Sequence, residues 1–122
     1  MKSLAIVAAV MLVLDTIWEQ ATMASSRQVV AKIQRNPMKI RSLAEIIAYA
    51  LMIGAVWFFA VETSKSWQDA AVRGALLGLA MYGMFDMTNY ATLNSYPLEF
   101  AIRDIMWGTV LFAVTAGAAR AL

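Results

Sequence analysis

Asp15, Trp18 and Glu19 stand at i, i+3 and i+4, which is one stripe of a helix, and they follow a run of almost purely apolar residues. A second group has the same character. Tyr82, Asp86, Asn89 and Tyr90 share a helical face, with Thr88 and Thr92 beside them, and Asp104 and Trp107 share another, preceded by Glu99 and Arg103 at i, i+4. Carboxylates, hydroxyls and an amide can hold a hydrogen-bonding ligand, bind a divalent cation through oxygen, or relay protons. The chain has no histidine and no cysteine. Imidazole bases, thiolate nucleophiles and the usual zinc ligands are therefore missing, and no P-loop or nucleophile–base pair takes their place. No catalytic residue, metal site or cofactor is assigned, and the chain is read as a non-enzyme.

Composition says what surrounds these groups. Of 122 residues, 61% are hydrophobic and 15% charged, and the mean hydropathy is +0.65; soluble domains run nearer to about 25% charged. This is the composition of a membrane protein. A net charge of +2 is too small and too scattered for a nucleic-acid partner. The partner it implies is a lipid bilayer.

Spanning the hydrocarbon takes about 20 mostly apolar residues, and four such windows can be drawn, at 3–24, 43–61, 69–90 and 98–121. The expected fold is an all-α, four-helix transmembrane bundle in one domain. Lys2 and the apolar run behind it also suit a signal peptide, but the Asp15–Trp18–Glu19 stripe continues past the run, and no clean cleavage site follows. A retained helix is the expectation. The connector 25–42 carries Arg27, Lys32, Arg35, Lys39 and Arg41 and no acid, while Val29, Val30 and Ile33 give it an apolar edge suited to a short interfacial helix. The positive-inside rule puts this loop on the cytoplasmic, stromal or matrix side. Counting Arg103 with it gives six basic residues, against Lys2, Lys65, Arg73 and Arg120 on the other side.

Antiparallel threading brings Asp15, Glu19, Glu45, Asp86, Asn89, Glu99, Arg103 and Asp104 into one leaflet. A charge facing lipid costs on the order of 2.5–3.5 kcal/mol at the bilayer centre, so these faces are expected to turn inward toward one another. Close packing needs small residues, and Gly74 and Gly78 form a G-x-x-x-G, with Gly108 on the last helix. The pattern is read as packing within the chain before dimerisation. The nine methionines read as apolar filler, and the tryptophans near helix ends as an interfacial belt.

From about residue 71 to residue 114 the sequence resembles the predicted membrane proteins catalogued as domain of unknown function 2177. The resemblance rests on "RGALLGLAMYGMFDMTNYATL", on Tyr96–Pro97, on "DIMWGT" and on the Asp15-x-x-Trp18 pair. Phe85 stands where the family often has tyrosine, and in the first loop and second helix only Pro37 and Tyr49 offer anchors. What the resemblance implies is a compact four-helix membrane fold with a shared polar cluster and no assigned activity. Two roles follow from the residues. The leading one is an accessory or structural subunit of a larger membrane complex, its polar layer locking its own helices. The alternative is a lipid- or small-molecule-binding or transport protein using Asp15, Asp86, Asn89 and Asp104, walled by Trp18 and Trp107.

Overall fold

A computed structural model describes residues 2–122, all of whose regular structure is helical. Helix α1 spans Lys2–Gln34, α2 Ser42–Ala55, α3 Trp67–Thr92 and α4 Leu98–Ala121, and a π-helical segment, Val56–Val61, continues α2. Three stretches are long and apolar enough to cross a membrane: Lys2–Gln34, Ser42–Val61 and Leu98–Ala121. Large apolar side chains such as Ile17, Leu43, Leu51, Phe59, Leu76 and Met106 are more than half uncovered by protein. A water-soluble domain does not expose apolar surface around its whole girth; hydrocarbon is the solvent that accounts for it.

The first helix is longer than expected. Residues 25–34, read from sequence as part of a connector, are continuous with it, because "SSRQVVAKIQ" contains neither glycine nor proline to stop the helix. At 1.5 Å per residue α1 is about 50 Å long against a hydrocarbon core of about 30 Å, so its C-terminal turns, bearing Arg27 and Lys32, overshoot the apolar layer. The helix closes where Arg35 takes a positive φ of 60° and its N–H reaches the Ala31 carbonyl at 2.8 Å. The Gln34 side chain then donates to the Asn36 and Pro37 carbonyls.

Helices α3 and α4 form the closest pair. A Cβ placed on Gly78 would collide with the Gly108 carbonyl oxygen, one on Gly74 with that of Phe112 and, at 2.9 Å, with the Ala116 side chain, and one on Gly108 with the Tyr82 ring. The G-x-x-x-G is thus consumed inside the chain. Two small residues a turn apart let the backbones approach, which is the way membrane helices gain dispersion contacts without a hydrophobic driving force. Around this seam pack Val7 and Met11 of α1, Val56 and Ala60 of the π segment, and Leu111 and Phe112 of α4, all fully buried.

Both ends of the bundle are tied. At one end Trp57 Nε1 donates to Ser3 Oγ at 3.1 Å and Ser3 Oγ to Glu62 Oε1 at 3.3 Å. Ser66 caps α3 by accepting the Asp69 N–H at 3.1 Å, while Asp69 Oδ2 accepts the Lys65 N–H and the Arg73 Nε–H, a reciprocal arrangement that satisfies helix-end donors. At the other end Arg103 Nη2 donates to Ser25 Oγ at 3.1 Å, which levels the overshooting part of α1 with the start of α4.

Candidate functional site

The π segment decides where the site opens. Val56, Ala60 and Val61 are buried, but α2 itself buries no residue. No Cα of α2 comes within 8 Å of α3 or α4, whereas the π segment packs on both. A π turn changes the phase of the side chains around the axis. After this turn the chain meets the bundle; before it, α2 leans away and leaves a wedge between itself and α3.

That wedge is a cavity of about 530 Å3, lined by Asp15, Trp18 and Glu19 of α1, Glu45, Tyr49 and Met52 of α2, Met81, Tyr82 and Phe85 of α3, and Asp104 and Trp107 of α4. Most of its wall is carbon. Its polar groups converge at the inner end. Asp15, 7% exposed, accepts the Trp107 indole N–H on Oδ1 at 3.0 Å and the Tyr49 hydroxyl on Oδ2. The same hydroxyl is 2.9 Å from Glu19 Oε1. A phenol carries one hydrogen, so Asp15, Tyr49 and Glu19 form a chain in which a single phenolic proton faces two carboxyl groups.

One further carboxyl group, Asp86, lies outside the cavity lining. Asp86 is fully buried and accepts the Tyr96 hydroxyl on Oδ1 at 2.6 Å. Its Oδ2 has no N–H or O–H donor. The tyrosine before Pro97, from the loop joining α3 to α4, thus covers Asp86 from the end of the bundle.

The indoles of Trp18 and Trp107 stack with centroids 4.6 Å apart and planes 5° from parallel, forming one wall of the cavity. Arg103 is on the outside of that wall, its guanidinium 6.0 Å from the Trp18 ring and 5.5 Å from that of Phe100. The expected Glu99–Arg103 pair is not formed. Among the described residues the one salt bridge joins Arg73 and Asp69 at 3.1 Å, near the opposite end, because the aromatic faces and Ser25 hold the Arg103 head away from Glu99. Thr88 and Thr92 also stand apart from the cluster. Both are exposed, and Thr92 Oγ1 returns to the Thr88 carbonyl at 2.8 Å, a local bond that needs no partner helix.

The cavity lining thus brings together Asp15, Trp18, Glu19, Asp104 and Trp107, and leaves out Asp86 and Asn89. Tyr49 is the residue whose role sequence reasoning missed. Its signal was present, since Glu45 and Tyr49 at i, i+4 are polar tips on one side of an otherwise apolar helix. Among the described residues no group of three or more acidic side chains has the geometry of a metal site.

The chain belongs to the DUF2177 family of predicted membrane proteins, whose match covers residues 1–121. The first loop and second helix therefore fall within the family as fully as the segment from Asp86 to Trp107 does. No curated protein and no solved structure matches the chain.

Proposed function

We propose that this protein is a four-span membrane protein that binds a lipid or another small amphiphile in the wedge between α2 and α3. One observation carries the reading: the carboxyl groups of Asp15, Glu19, Glu45 and Asp104 line an open, largely apolar cavity of about 530 Å3. Its size is that of small-molecule sites, which typically run about 300–1,000 Å3 and combine apolar walls with a few convergent polar groups. Ionisable residues within a membrane mark functional sites by default. A polar layer serving only to lock helices would be expected to close on itself, and here it borders a space.

The fourth span in this reading is α3. It is less apolar than its neighbours, but Asp86 is covered by α4 and Tyr96, and Asp69 and Arg73 fall in its first two turns, at the interface. The overshooting end of α1 and the basic residues up to Arg41 are assigned to the cytoplasmic, stromal or matrix side.

Native mass spectrometry of the protein released from mild detergent tests the reading. A one-to-one adduct of lipid or small-molecule mass is expected, lost in Ala48→Trp, which places an indole in the wedge from an exposed position on α2. A bare chain travelling with a larger membrane protein would favour the accessory-subunit role instead.

A further inference from the structure

We infer that the occupant of the wedge is a membrane-borne ammonium: a single-chain amine whose hydrocarbon tail lies between α2 and α3 and whose charged head meets Asp15 and Glu19. This rests on the amphiphile-binding reading and names the charge of the head group.

Three observations carry it. First, four carboxyl groups line the cavity and no lysine or arginine among the described residues does. Arg103, whose helix carries Asp104 and Trp107, is turned to the Trp18 ring and donates to Ser25. Second, donors fall short of acceptors, and Asp86, fully buried on α3, has no hydrogen-bond partner on Oδ2. Tyr49 and Trp107 supply two hydrogens to the four lining carboxyl groups, and the Tyr82 hydroxyl in the same wall is turned to Met52 Sδ instead. An alkylammonium brings three N–H donors and a positive charge together, and in a low-dielectric site charge-assisted bonds are the stronger ones. Third, the mouth opens toward lipid. Ala48 on α2 and Phe85 on α3, both in its lining, are exposed, so a tail can leave sideways into the bilayer.

The test offers dodecylammonium, dodecanol and dodecanoate in equal amounts to the full chain and reads adduct masses by native mass spectrometry, with putrescine as a cation that lacks a tail. Dodecylammonium is expected to bind about tenfold or more tighter than dodecanol, the discrimination of a charge-assisted hydrogen bond, and dodecanoate is expected to bind least. In Glu19→Gln/Glu45→Gln, which keeps side-chain volume at two cavity-lining positions, the preference for the ammonium should fall to that of the alcohol. Folding of this variant is read independently from its helical circular dichroism. Equal binding of all three dodecyl probes, or an unchanged order in the folded variant, overturns the inference and leaves amphiphile binding standing. Binding of none of them overturns both. Putrescine binding as tightly as dodecylammonium would assign the site to a soluble cation and overturn the membrane-borne occupant.

Discussion

Trp18 and Trp107, far apart in the chain, stack face to face at 4.6 Å, and the Trp107 N–H is also the donor that holds Asp15 Oδ1 at 3.0 Å. One contact therefore joins α1 to α4, walls the cavity and orients its most buried lining carboxyl. Trp107→Phe keeps an aromatic face but removes the donor. Leaving a buried acceptor unsatisfied costs about 1–3 kcal/mol. Thermal unfolding in detergent should show that loss, and near-ultraviolet circular dichroism should lose the paired-indole signal.

Gly78 and Gly83 lie on the same helix and predict opposite behaviour. Gly78→Ala drives a Cβ into the Gly108 carbonyl, whereas nothing lies within 4 Å of a Cβ on Gly83. The first should destabilise by about 1–3 kcal/mol, as overpacking does, and the second should be neutral or stabilising by up to about 1 kcal/mol through helix propensity. Denaturation of the two variants side by side checks the α3–α4 seam.

Tyr49 touches both Asp15 and Glu19, so Tyr49→Phe and Glu19→Gln act on one network. Their effects on stability should be non-additive, with a coupling of about 0.5–3 kcal/mol, the range found for residues in contact. A double-mutant cycle by thermal unfolding measures it. Strict additivity would mean that the hydroxyl does not bridge the two acids.

The absence of native cysteine makes sidedness directly measurable. Asn36→Cys should react with a membrane-impermeant maleimide added from the cytoplasmic side and Ser64→Cys from the other side, as the basic segment up to Arg41 predicts. The reverse labelling pattern would invert the orientation assigned to the bundle.

Much of this arrangement was legible in the residues. Pro97 and the run after it located α4 at Leu98–Ala121, and the i, i+3, i+4 spacing of Asp15, Trp18 and Glu19 placed all three on the cavity wall. The glycine pair identified the close seam, because only backbone approach makes use of a missing Cβ. Other features depended on three-dimensional competition. Arg103 had a well-spaced acid in Glu99 and instead took the Trp18 and Phe100 rings, a choice that the neighbouring helix makes. The basic segment 25–34 lacks a breaker, yet its charge suggested a loop. The π turn at Val56–Val61 has no composition of its own, and the wedge it opens could be seen only once α2 was placed beside α3.

The most direct test of an open, occupied wedge is a density map of the protein in a lipid nanodisc, at a resolution that separates side chains from acyl chains. The account predicts elongated non-protein density entering between α2 and α3 and ending near Asp15, Glu19 and Tyr49. A map with Ser42–Ala55 packed flat on α3, and the space filled by Met52, Met81 and Phe85, would contradict it.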